Sequence, residues 1–262
     1  PPWTRDATVR AYVVTVTPQV SGLVIDLPVH ADQFVRKGEL LMQIEPIDFT
    51  LAVTNAEAAL EGARADLANR RAEANRRAQL TTLSTSVEEQ QRFASQADAA
   101  AATVKSDLAN LARARVALAR TRIVAPVSGK ITNLQIQEGD YATSGQRALS
   151  VVDTGSFWVD GYFEETQLAR IHLGDSARVT LMGFGQPLEG HVAGIASGIE
   201  VANAQSGQSG LASVNPVYTW IRLAQRVPVR IEIDHLPPGV LLVAGQTATV
   251  QIQPGTAPAT NK

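Results

Sequence analysis

The spacing of apolar residues changes character twice along the chain. From about Asp48 to Arg120 there is no proline, one glycine (Gly62) and a high content of alanine. Leu60 and Leu67 stand seven residues apart, as do Val104, Leu111 and Leu118. Alanines 56, 63, 97, 100 and 114 fill the intervening positions, which is the pattern of a narrow coiled-coil seam. The pattern breaks at Thr81-Thr82-Leu83-Ser84-Thr85, and Ser86-Val87-Glu88-Glu89 reads as a capping box opening a new helix. The spacing therefore predicts two helices of about 35 residues folded back on each other, a hairpin projecting roughly 50 Å. Antiparallel pairing would bring Leu60 near Leu108 and Leu111, and Leu67 near Val104.

On either side of this stretch the chain repeats itself. Val20-Ser21-Gly22 through Glu45 aligns without gaps to Val127-Ser128-Gly129 through Val152, at a constant offset of 107. Leu27 matches Leu134 and Gly38 matches Gly145. Val24 pairs with Ile131, Asp26 with Asn133, Val29 with Ile136 and Phe34 with Tyr141. Each copy reads as short strands, Leu23-Val24-Ile25, Leu27-Pro28-Val29 and Leu40 to Ile44 in the first. Glycines 22, 38, 129 and 145 are expected as positive-φ turn residues. A half-unit of about 26 residues cannot bury a core alone, so the two are expected to pair into one β-sandwich.

After Asp153 the pattern becomes strand-like. Trp158–Phe163, Ala177–Leu181, His191–Ile195, Tyr218–Leu223, Val227–Ile233 and Thr247–Ile252 read as strands, and Glu165–Ile171 as a short helix closed by Leu173-Gly174-Asp175. Pro228 cannot donate a ladder hydrogen bond, which predicts an edge or a bulge there. About six strands and one helix suggest a small closed barrel. The organisation read from the sequence is thus a sandwich from 16–47 and 121–153, a hairpin over 48–120 and a barrel over 154–253. Residues 8–15 are available as a further strand, 202–216 form a long polar loop, and 1–7 and 254–262 are tails.

Composition narrows the functions. A net charge of −2 over 262 residues gives no reason to expect nucleic acid. With no cysteine, disulfides and thiolate metal sites are excluded. No apolar run approaches the roughly 18 to 20 residues that span a bilayer; the most apolar, Val240 to Ala244, is strand-sized. The chain opens Pro1-Pro2 without a Met, so any anchor is expected to precede residue 1. The histidines (30, 172, 191 and 235) are scattered, and Glu164-Glu165 has no nucleophile to converge with. Arg64, Arg70, Arg71, Arg76 and Arg77 make the first helix basic toward its end. These read either as a solvated helix face or, for Arg76 or Arg77, as contact with an acidic partner or a neighbouring protomer; Arg70 and Arg77 extend the seven-residue seam, which supports some contact with another chain.

A split sandwich interrupted by a helical hairpin and followed by a small barrel resembles the HlyD-like membrane fusion (periplasmic adaptor) family. Each half-repeat looks like half of a lipoyl/biotinyl domain, giving an α+β, elongated multidomain fold. The residues carrying the resemblance are Pro18 to Gly22, the turn Val35 to Leu41, Ala125 to Gly129, and Trp220 to Arg230. The last is similar to the subgroup serving aromatic-carboxylic-acid and multidrug exporters. With about fifteen residues before the first half-repeat and a short polar tail, no fourth, membrane-proximal domain of the resistance-nodulation-division kind is expected. The resemblance implies a non-enzymatic adaptor without cofactor. Its partners would be an inner-membrane transporter (major-facilitator or aromatic-acid exporter type), an outer-membrane channel and further copies of itself, and an N-terminal membrane helix would hold it. The family's tip pattern is Arg, Leu four residues on, then Ser seven further. Arg76 and Leu80 match it, while Ser86 comes one residue early; Arg77 lies beside them. Arg222, Arg226 and Arg230 are the barrel residues expected to meet the transporter or a neighbouring protomer. Two rivals remain: an adaptor for an ABC-type secretion system, and a lipoyl-type carrier. The carrier is disfavoured because Lys37, Lys105, Lys130 and Lys262 all lie away from a joining turn.

Overall fold

The computed structural model describes residues 1–79, 86–198 and 224–253. In chain order the elements are β1 (Trp3–Arg10), β2 (Val13–Val16), β3 (Gly22–Asp26), β4 (Phe34–Val35), β5 (Leu40–Ile44), α1 (Ile47–Ala78) and α2 (Val87–Ala119). They continue with β6 (Arg122–Val124), β7 (Gly129–Thr132), β8 (Tyr141–Ala142), β9 (Leu149–Asp153), β10 (Trp158–Glu164) and a 3-10 helix (Glu165–Arg170). The last strands are β11 (Ser176–Leu181), β12 (Leu188–Ile195), β13 (Arg226–His235) and β14 (Thr247–Gln253). Residues 14–151 form one compact unit, and residues 1–13 with 152 onward form the other.

In the first unit the half-repeats build one sandwich by exchanging strands. Its sheets run β2-β9-β7-β4 and β6-β5-β3-β8. β3 of the first half pairs with β8 of the second (Gly22 with Ala142, Leu23 with Tyr141), and β7 of the second pairs with β4 of the first (Gly129 with Val35, Lys130 with Phe34). The offset of 107 carries one set of hydrogen bonds onto the other. Val24 N donates to Asp140 O at 2.8 Å and Ile131 N to Gln33 O at 2.9 Å; Gly145 N donates to Pro18 O at 2.9 Å and Gly38 N to Ala125 O at 2.8 Å. The repeated Val-Ser-Gly has a physical reason. Ser21 Oγ accepts from Ser144 N, and Ser128 Oγ from Lys37 N, each at 2.9 Å, so each half's serine ties down the other half's turn. Gly38 and Gly145 supply that turn's positive φ (87° and 82°). Gly22 and Gly129 do not adopt positive φ, contrary to expectation. Gly22 sits in β3, where a Cβ would come 2.6 Å from Ile44 Cγ2, so close packing requires it. Leu27–Val29 forms no strand, although Val29 is buried in the core.

The hairpin is inserted where the halves join. β5 leads into α1, α2 returns into β6, and the two strands pair through Met42 and Ile123. Ile44 N donates to Thr121 O at 2.8 Å across the hairpin's base. Helices of 32 and 33 residues reach about 50 Å. Leu60, Ala97, Ala100 and Leu111 are buried on the seam, and Leu67, Val104, Ala114 and Leu118 are half-buried. Leu108 is 43% exposed, so it lies off the seam; half-buried Asp107 occupies the register instead. Ser86 caps α2, its Oγ accepting from Glu89 N at 3.1 Å. The expected break at 81–85 lies outside the described residues.

The second unit is a closed barrel of order β1-β10-β13-β12-β11-β14. Inward positions alternate along the strands, as in β11 (Ala177, Val179, Leu181) and β13 (Val227, Val229, Ile231). Residues 1–7 are not a tail, because β1 begins at Trp3 and closes the barrel between β10 and β14. Thr4 is buried there, its hydroxyl donating to Tyr162 O at 2.8 Å. Pro228 lies on an interior strand opposite Tyr162. It is therefore not on an edge: its carbonyl accepts from Ala196 N at 3.0 Å, just past the end of β12, and the proline leaves that pair without a second hydrogen bond. The short helix after β10 is of the 3-10 type. The expected strand Tyr218–Leu223, the 202–216 loop and the 254–262 tail lie outside the described residues.

Candidate functional site

The last turns of α1 and the first turns of α2 carry an ion-pair cluster around Glu73. Arg76, with its side chain 69% exposed, is bonded to Glu73. Arg77 donates through Nε to Glu73 Oε1 at 2.9 Å, and its guanidinium lies 5.1 Å over the Phe93 ring and 3.7 Å from Glu89 Oε1 on α2. Arg92 reaches the same ring at 5.3 Å and Glu89 at 3.8 Å, and Gln90 Nε2 donates to the Arg77 carbonyl at 3.2 Å. Hydrogen bonds from Arg76 and then Arg77 hold the Glu73 carboxyl below the usual carboxylate range. Arg70 is likewise engaged within the hairpin, with Asp66 at 3.3 Å and Gln96 at 3.2 Å.

The sequence-derived tip residues therefore have different local roles. Arg76 is presented outward. Arg77 and Arg70 take up the seam's extension within the hairpin, where contact with another chain was expected. Ser86 spends its oxygen lone pair on the helix cap. Leu80 lies outside the described residues. Glu73 and Phe93 were missed, although Glu73 stands at helical spacing from both arginines and Phe93 is the one aromatic of α2.

On the barrel, Arg222 lies outside the described residues. Arg226, 60% exposed, pairs with Asp6 of β1 beside a cleft of about 440 Å³ lined also by Trp3, Arg5, Tyr162 and Glu164. Arg230 is held against the wall. Its guanidinium sits 4.2 Å over Trp158 and 5.8 Å over Tyr12, whose hydroxyl it meets at 3.2 Å, and the two rings are 4.8 Å apart. Asp160 accepts from Trp158 Nε1 at 2.9 Å and stands 3.6 Å from Arg10 Nε. Tyr12 could not be found from sequence, since its partners come from β10 and β13. His191 stands 2.7 Å from Asp234 and 3.9 Å from Glu232. Among the described residues no group of three or more His, Asp or Glu side chains is placed to hold a metal ion.

Comparison with known proteins agrees with this architecture. Residues 12–154 match the family model "RND MFP, barrel-sandwich hybrid domain", and residues 156–253 match the "AAEA-like beta-barrel domain". YdhJ, an uncharacterized protein of Escherichia coli (strain K12), is 43% identical over 251 residues, 96% of this chain and 88% of that protein. The membrane fusion protein Spr0693 of Streptococcus pneumoniae R6 has a similar fold, with a TM-score of 0.69 at 15% identity over 98% of this chain and 100% of that one. MacA of Actinobacillus actinomycetemcomitans gives 0.70 at 17% identity, over 96% and 80%. With one family model over more than half of its length and a second over its barrel, the chain belongs to the membrane fusion protein (periplasmic adaptor) family.

Proposed function

We propose that this protein is the periplasmic adaptor of an efflux complex, linking an inner-membrane transporter to an outer-membrane channel for export of small molecules such as drugs or aromatic acids. The transporter is of the major-facilitator or aromatic-acid exporter type, which the AAEA-like barrel supports. The work is topological: the hairpin bridges toward the channel, the barrel meets the transporter, and energy comes from the transporter without bond chemistry in this chain. The observation that carries the reading is the hairpin, two helices of 32 and 33 residues inserted at the junction of a split sandwich. A lipoyl-type carrier would need a lysine at that junction, which the hairpin occupies. Arg76 and Leu80 are assigned to the channel contact, with Ser86 beside them.

The test is export in a strain lacking the gene, complemented with wild type, Arg76→Glu or Leu80→Asp. Both variants should lose export of drugs or aromatic acids at normal protein levels, with stability changed by no more than about 0.5 kcal/mol. Normal export by both rejects the tip assignment. Unchanged export without the gene rejects the adaptor reading itself.

A further inference from the structure

The offset of 107 also relates β2 to β6, with Thr15, Val16 and Thr17 corresponding to Arg122, Ile123 and Val124. Each strand is an edge of its own sheet. Between them, against the end of α2, lies a cleft of about 470 Å³, which is in the size range of small-molecule sites. β2 brings hydroxyls to it where β6 brings a cation and an apolar side chain. Two elements supply the same pair of groups. On α2 and its cap, Val116 and Arg120 stand four residues apart and share a helix face; on β6, Arg122 and Val124 stand two apart and share a strand face. Both valines are left open, Val116 at 48% exposure and Val124 at 41%. Neither arginine makes an ion pair among the described residues. No acidic side chain is found among the described residues that line the cleft, although the chain as a whole carries a net charge of −2. Arg120 at the end of α2 complements the helix dipole. That role accounts for neither Arg122 nor the two open valines.

We propose that this cleft binds a small organic carboxylate with an apolar body. Guanidinium groups present a planar fork of donors that matches a carboxylate, and two of them without an acidic partner leave the cleft complementary to an anion. Val116, Val124 and the buried Val16 and Ile123 supply the surface that takes the body out of water. A bare inorganic anion would make no use of the valines. A neutral apolar molecule would cover two cations without pairing them, which is costly. The carboxylate with an apolar body satisfies both sets of groups at once. As a resting place for an exported acid the site rests on the adaptor reading; the binding itself does not.

The test is titration of the purified chain with 2-naphthoate, followed by calorimetry and by the amide resonances of the protein. Binding should saturate, and the largest shifts should fall on Val116, Arg122 and Val124. The neutral analogue 2-naphthalenemethanol should bind at least about ten-fold more weakly, since it lacks the charge that the arginines meet. Arg120→Gln with Arg122→Gln should weaken 2-naphthoate by a similar factor and leave the neutral analogue unchanged. Arg122→Lys should recover part of what Arg122→Gln loses, because it keeps the charge without the fork. All these side chains are exposed, and circular dichroism of each variant checks that it is folded. Binding that does not saturate, or that is indifferent to the double substitution, overturns the site. Equal affinity for the neutral analogue, or displacement of 2-naphthoate by an equal concentration of inorganic phosphate, overturns the ligand class. Export measured in parallel separates the two readings. Unchanged export without the gene removes the adaptor function and leaves the site, whereas export that needs the gene, with no saturable binding, removes the site alone.

Discussion

In the sandwich, fifteen hydrophobic residues from both halves close around one core. In the two helices of the hairpin, four side chains are buried, and two of those are alanine. The sandwich is thus held by long-range burial between segments 107 residues apart. The hairpin is held by alanine-rich helix propensity, a thin seam, and polar ties such as Glu57–Arg115 at 2.7 Å and Arg70–Gln96 at 3.2 Å. A region of the first kind specifies its own fold. A region of the second kind needs an anchoring point, which the β5–β6 pair provides.

The sharpest way to break this contrast is to remove the hairpin. Replacing residues 48–120 with a short Gly/Asn turn should leave a cooperatively unfolding protein with a β-type circular dichroism spectrum and no helical signal. It should also be inactive in export. An aggregated product at a well-chosen turn length would mean that the hairpin belongs to the sandwich core. At single residues, Leu149→Ala, fully buried in the sandwich, should cost about 3–5 kcal/mol by denaturant titration. Leu111→Ala on the seam should cost about 2 kcal/mol or less, because a cavity beside water and alanine collapses or fills. Equal losses at the two sites would erase the distinction.

Smaller still is Arg77→Met, which severs the tie across α1 and α2 near Phe93. It should lower global stability by less than about 1 kcal/mol. Spin labels at positions 78 and 88 should nevertheless report a broader distance distribution, and Arg77→Lys should recover part of the order. The smallest effect concerns pH. Glu73 has its pKa lowered in the fold, so its contribution is fully present above the unfolded value and is lost as pH falls through the folded one. Hairpin stability, followed by helical circular dichroism, should therefore fall on acidification below the ordinary value of 4.5. In Glu73→Gln that dependence should flatten.

The sandwich halves and the hairpin were legible because each rests on a period: a constant offset for one, sevens and alanines for the other. What escaped the sequence depends on partners distant in the chain. β1 was hidden because Thr4, Arg5 and Asp6 interrupt its apolar alternation at a register shift between Thr4 and Ala7, and its pairing with β10 and β14 supplies what propensity does not. Gly22 looked like a turn residue because spacing cannot show Ile44 pressing on it. Of the candidate residues, Arg76 stands exposed in the last turn of α1. Arg77, whose seam position pointed to contact with another chain, engages Glu89 and Phe93 on α2 of the same hairpin.

The place of β1 in the barrel also imposes an order on synthesis. One of its neighbours, β10, begins at Trp158, and the other, β14, at Thr247. At a ribosome's pace of about 5–20 residues per second, the segment around Trp3 waits roughly 12–50 s before the strand that closes the barrel exists. Until then at least one of its sides is an open edge, the kind that recruits the wrong neighbour. Arg5, Asp6 and Arg10 along it are the charges that discourage such pairing while the remainder of the polypeptide is being made.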